Sequence, residues 1–226
     1  MLTPENLPGD LDTLAALLDH PDPAIRRHAE LRLTGRTDLA PRLPALVAAA
    51  DSPEALRRLE RIAQHQFLRA LRTNANVPNL VGAIGVAFQV ARATKPDEPA
   101  RSVVTIRQAK PGFPGREAFL PDDQVLAIDG EPLPPDVTQT QFRQIAQSLM
   151  SGQRHTFSII RDGQEREVEL VVAAAIDLER LYDPGSELRS IHRDAWAVRR
   201  AELFDNHPLA GAALKPVDVD PWPDQP

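Results

Sequence analysis

Residues 122–133 read DDQVLAIDGEPL. Two acids precede a short apolar run, Val125, Leu126 and Ile128, which stops at Asp129-Gly130. Asp and Gly tolerate the positive φ of a tight turn, so the pair predicts a buried strand that corners sharply. A second such pair, Asp162-Gly163, lies inside HTFSIIRDGQEREVELVV, where apolar and polar residues alternate on both sides. That alternation about an Asp-Gly predicts a β-hairpin. Between the two corners, TQTQFRQIAQSLMSG predicts a helix. Thr138 or Thr140 stands near its start, Gly152 stops it, and Phe142, Ile145, Ala146 and Leu149 share a face. Upstream, GAIGVAFQVA and SVVTIRQA are rich in Val, Ile and Phe and read as two further strands. Strand, strand, turn, strand, helix, hairpin is an α+β order.

Residues 10–73 have a different rhythm. Leu11, Leu14, Leu17 and Leu18 recur at helical spacing until HPDP interrupts them. Asp22 is placed to cap the next helix, with Pro23 at its first position and Ile25, Ala29 and Leu33 on one face. A third helix carries Leu43, Leu46 and Val47. A fourth starts at Ser52-Pro53 and carries Leu56, Leu59, Ala63, Phe67 and Leu71. RTNANVPNL, without periodicity, reads as a linker. After Ala175 one more helix is expected, capped by Ser186, with Leu188, Ile191, Ala195 and Trp196 as its apolar face. The Pro- and Asp-rich stretch PVDVDPWPDQP has little to bury and is expected to be disordered or draped on a surface. The domains read as 1–73, 79–174 and 175–226.

Composition narrows the function. The chain has 226 residues, 42% hydrophobic but only 4% aromatic, so its core must be mostly Leu, Val, Ile and Ala. A net charge of -6 argues against a general nucleic-acid binder. With no cysteine, disulfides, thiolate metal sites and thiol nucleophiles are excluded. No signal-peptide pattern or apolar run long enough to span a bilayer is seen, and a cytoplasmic location is expected. The lysines are only Lys95, Lys110 and Lys215.

Two resemblances follow from the quoted stretches. LLDHPDPAIRRHAELRL and LPALVAAADSPEALRRLERI, within Leu11 to Leu71, resemble HEAT-like helical units of bacterial multidomain proteins. The resemblance rests on Pro-Asp-Pro-x-x-Arg, an Ala-rich helix and a Leu-Pro-x-Leu start. GAIGVAF, PGFPGREAFLPDDQVLAIDGEPL and SGQRHTFSIIRDGQEREVEL together resemble a PDZ domain of the bacterial, protease-associated type, over about Val81 to Ala173. The family usually has Gly where Phe119 and Asp122 stand here, and one residue is missing near Leu120. The expected fold is therefore an all-α HEAT-like region, a PDZ-like partly open β-barrel with two helices, and a C-terminal helical and extended tail.

The PDZ resemblance implies a groove between one strand, Ile84 to Phe88, and one helix, Gln141 to Met150. An extended peptide would add there as an extra strand. The loop from Val81 to Gly85, with Gly82, Ala83, Ile84 and Gly85, would offer backbone N–H groups to a terminal carboxylate. Ile84, Val86, Phe88, Phe142, Ile145 and Leu149 would line the apolar pocket; each could equally be core. No catalytic motif is found: there is no G-x-S-x-G and no H-E-x-x-H. Asp122-Asp123 is read as structural. Ser190, His192 and Asp194 lie at spacings that do not face one another on a helix. Arg58, Arg61, His65, Arg69 and Arg72 are read as a solvated helix face, partly paired with Glu54 and Glu60. The expected function is a non-enzymatic interaction module for a protein or peptide partner, with no cofactor, metal, nucleic acid or membrane span. The alternatives are a regulatory or substrate-recruiting component of a proteolytic system, or a scaffold whose groove is filled by its own tail.

Overall fold

The computed structural model describes residues 2–73, 80–93 and 101–214. The linker core and the Pro- and Asp-rich terminal stretch fall outside these residues. The chain divides into two units: Met1–Leu71 with Glu179–Pro226, and Arg72–Leu178.

The first unit is helical. It contains α1 (Leu11–Ala16), α2 (Pro23–Thr34), α3 (Leu43–Ala48) and α4 (Pro53–Ala70). The Pro-Asp-Pro-x-x-Arg stretch has a local physical basis. The Asp22 carboxylate accepts from the Ala24 N–H and caps α2, with Pro23 in the first turn, where its missing N–H is harmless. Arg26 Nη1 then reaches back to the carbonyls of His20 (2.6 Å) and Pro21 (3.0 Å), fixing the turn that enters the helix. Ser52 caps α4 in the same manner through the Ala55 N–H.

The core of this unit is completed by the C-terminal part of the chain. Beyond α7 (Ala175–Tyr182), both α8 (Glu187–Phe204) and α9 (Ala210–Ala213) contribute to it. Trp196, Phe204 and Ala213 are buried with Leu14, Leu18, Leu33, Leu56 and Leu59. Phe67 and Trp196 stack at 5.5 Å between ring centroids. The sequence places 175–226 apart as a tail, whereas the structure groups the described residues from Glu179 to Leu214 with the N-terminal helices. The buried face of α8 also differs from the expected one. Ile191 is 58% exposed and Ala195 is exposed, while Trp196, Arg200 and Phe204 point inward. Arg200 is tolerated there because it pairs with Glu60. Ser186 occupies the cap position of α8 without a side-chain cap bond.

The arginine face of α4 is not a solvated stripe. Arg58 and Arg61 both bind Glu30, whose side chain is only 9% exposed, at 2.6 and 3.0 Å. Arg58 also binds Glu54. Burial would raise the Glu54 carboxyl, but hydrogen bonds from Arg58 and Arg57 outweigh it and hold the group below its ordinary value. His65 is fully buried.

The second unit holds β1 (Gly82–Ala83), β2 (Val86–Ala93), β3 (Arg101–Ala109), α5 (Gly115–Ala118), β4 (Gln124–Ile128), β5 (Glu131–Pro132), α6 (Gln139–Ser148), β6 (Arg154–Arg161), β7 (Gln164–Val171) and β8 (Ala173–Ala174). The main sheet runs β2-β3-β4-β6-β7 with β5 paired to β4, and it is not closed. β1 and β8 form a separate two-stranded pair. Both Asp-Gly corners have positive φ at each residue: 52° and 80° at Asp129-Gly130, 51° and 78° at Asp162-Gly163. The second joins β6 to β7 in unbroken register from Arg161↔Gln164 to Arg154↔Val171. Phe142, Phe157, Ile106 and Ile159 are fully buried at the centre of the core. Phe119 is buried edge-on against Phe157 at 5.3 Å.

Candidate functional site

The two acids that open the decisive stretch have opposite environments. Asp122 takes φ 73°, which a short polar side chain tolerates, and its exposed carboxylate meets Arg107 at 3.0 Å. Asp123 is buried. It accepts from Arg161 Nε (2.9 Å), from Arg161 Nη2 (2.5 Å) and from the Leu120 N–H (2.8 Å). Arg161 Nη2 also donates to the Ala118 carbonyl. The pair thus ties the turn before β4 to the end of β6.

The groove region is built around β2, an end strand of the sheet. One side of β2 pairs with β3, with an irregularity between Ala87 and Phe88; the other side pairs with no strand among the described residues. Edge strands are commonly protected by charge. The opposite edge, β7, carries Glu165, Arg166, Glu167 and Glu169, but the first five residues of β2 are Val86, Ala87, Phe88, Gln89 and Val90.

α6 lies beside this edge and is fixed at both ends. At its start, Thr138 accepts from the Gln141 N–H while the Gln141 side chain returns to the Thr138 N–H, a reciprocal cap. At its end, the Leu149 carbonyl accepts from the Gly82 N–H at 2.8 Å. A Cβ on Gly82 would stand 2.3 Å from that oxygen, so only glycine permits the approach.

The loop between β1 and β2 is braced from behind. The Gly85 carbonyl accepts from Lys110 N–H and the Ile84 carbonyl from Gly115 N–H, at 2.7 and 2.8 Å. Gly85 has φ 70° and packs against Phe113, where an added Cβ would approach to 2.2 Å. Gly115, which the sequence did not single out, lies so close to Ile84 and Val86 that a Cβ would clash with both.

The expected apolar pocket residues separate into two groups. Ile84, Leu149 and Phe142 are buried, Phe142 completely, and it packs edge-on against Phe88 at 4.6 Å. Val86, Phe88 and Ile145 are half-buried and flank the β2–α6 surface. Gly82 and Ala83 pair with Ala174 and Ala173, and the Gly82 N–H is already used by Leu149. One contact was not legible in the sequence. Gln139, at the first turn of α6, accepts from the Val90 N–H and donates to the Phe88 carbonyl, each at 3.0 Å.

A family model described as "PDZ domain" matches residues 82–172. Residues 82–172 are a PDZ domain. One solved structure similar to the chain is "HtrA-type protease AlgW with decapeptide", with 21% identity and a TM-score of 0.32. The match covers 53% of this chain and 34% of that one, so the chain spans about a third of that protein's length. No curated protein matches. The matched residues include β2 and α6.

Outside the PDZ domain, Ser190 Oγ donates to the Glu187 carbonyl and Asp194 meets Arg193. Among the described residues no group of His, Cys, Asp or Glu is arranged to hold a metal ion. No described helix is long and apolar enough to cross a membrane.

Proposed function

We propose that this chain is a non-enzymatic interaction protein whose PDZ domain takes an extended peptide as an added strand on β2. The observation that carries this reading is the outer edge of β2, which pairs with no strand among the described residues and carries Val86, Phe88 and Val90 where β7 carries Glu165, Arg166, Glu167 and Glu169, beside the half-buried Ile145 of α6. Main-chain hydrogen bonds along the edge would supply affinity that does not depend on sequence, and a pocket formed around Val86 and Ile145 would select an apolar side chain. The bracing of Ile84 and Gly85 presets the loop that would meet a terminal carboxylate. An affinity on the order of 1 μM would be ordinary for so short a ligand.

The helical unit, likened to HEAT units by its Pro-Asp-Pro-x-x-Arg stretch, serves in this reading as a second interaction surface or scaffold.

The test is a C-terminal peptide library screened against the full chain and its Ile145→Asp variant. Selection of peptides with apolar ends by the parent chain, lost in the variant while the circular dichroism is unchanged, supports the groove. Absence of binding by the parent chain, or binding indifferent to Ile145→Asp, overturns it.

A further inference from the structure

The Gln139 side chain occupies the same kind of backbone groups that an added strand would use. The Phe88 carbonyl and the Val90 N–H are the outward-facing pair on either side of Gln89. The primary amide of Gln139 offers one acceptor and one donor, as a peptide group does, and meets both at 3.0 Å. Gln139 itself is exposed, so this bridge is not forced by burial. It follows the Thr138 cap directly, and the capped start of α6 holds it opposite β2.

We propose that Gln139 sets the length of strand that the groove accepts. It is a side-chain plug on the edge, and a ligand extending past Phe88 must displace it. This inference rests on the strand-addition reading above. A strand advances about 3.3 Å per residue, so the edge from Val86 to the Phe88 N–H has room for only about three ligand residues. A short terminal peptide binds without disturbing the plug. A longer one gains pairing at Val90 but must break the two Gln139 bonds, and much of the gain is cancelled. The wild-type groove therefore discriminates weakly between short and long ligands, and loss of the amide restores the advantage of length.

The experiment uses the full chain, with Gln139→Ala and Gln139→Met as variants. Neither removes the Thr138 cap, and both residues favour helix. Without ligand, amide exchange at Val90 is expected to quicken about tenfold in both variants, since its hydrogen-bond acceptor is gone. Two acetylated Ala/Ser peptides ending in Val, of about three and about eight residues, are then titrated against each protein. The longer is expected to gain about fivefold or more in affinity on losing Gln139, and the shorter to be unchanged. An unchanged Val90 exchange rate overturns the plug itself. Faster exchange with equal gains, or none, for the two peptides shows that Gln139 only protects a bare edge and overturns the length role. Faster exchange with no binding of either peptide to any of the proteins overturns the strand-addition reading, and the length role with it.

Discussion

Removing the carboxylate of Asp123 should be among the most damaging single changes in the PDZ domain. Its side chain is 1% exposed and that of Arg161 is 7%. Asp123→Ala deletes the acceptor of three hydrogen bonds. It leaves the Leu120 N–H without this partner and the Arg161 guanidinium buried with the Ala118 carbonyl. Breaking a buried pair from one side costs about 3–5 kcal/mol, because the remaining charge is desolvated and uncompensated. With a urea slope near 2 kcal/mol/M, the midpoint should fall by about 1.5–2.5 M. The domain contains neither Trp nor Tyr: Trp196, Trp222 and Tyr182 all lie beyond it. The transition is therefore followed by far-UV circular dichroism and by amide exchange in β4 and β6, with Trp fluorescence reporting on the helical unit. Two comparisons isolate the cause. Asp122→Asn keeps a residue that accepts φ 73° and loses only an exposed pair with Arg107, so it should cost under about 0.5 kcal/mol. The double change Asp123→Leu with Arg161→Met removes both charges and should recover much of the loss. A loss below about 1 kcal/mol for Asp123→Ala would refute the reasoning, since the pair would then behave as a solvated one.

Other consequences can be checked on the same protein. Gly85→Ala combines an unfavourable left-handed backbone with a clash against Phe113 and should destabilise the domain by about 2–4 kcal/mol, measured by urea unfolding. Phe142→Ala should cost about 3–5 kcal/mol because the ring is fully buried, whereas Ile145→Ala, at a half-buried site, should cost clearly less in the same assay. The hydrogen bond from His155, then that from the Thr156 N–H, holds the Asp129 carboxyl below its ordinary value. A carboxyl lowered on folding adds stability above about pH 3.9, its unfolded value, and that stability fades as pH falls through the folded one. Asp129→Asn should therefore be less stable than the parent near neutral pH, and the gap should close toward about pH 2 in denaturation curves taken across that range.

Much of the PDZ fold could be read along the chain because its signals are local. Asp129-Gly130 and Asp162-Gly163 specify positive φ through their own side chains, and the alternation around the second pair sets the hairpin register. The Thr138 cap, the Asp22 cap and Pro23 likewise act within one turn of helix. The helix carrying Phe142 and Ile145 was legible for the same reason, though it ends at Ser148 and Leu149 follows in extended conformation. Tertiary structure decided what depends on distant partners. Periodicity gives α8 an apolar face, but which stripe is buried depended on Phe67 and Glu60, so Trp196, Arg200 and Phe204 turned inward while Ile191 stayed outside. The arginines of α4 look solvated in sequence because Glu30, on another helix, is 28 residues from Arg58. Nothing local distinguishes Asp123 from Asp122; Arg161, 38 residues away, makes one buried and leaves the other at the surface. Gln139 is an ordinary helix-start residue until folding brings the β2 edge within 3.0 Å. Turns, caps and periodicity are set by neighbours in sequence; burial of a charge or coverage of a strand edge needs a partner that only the folded chain brings near.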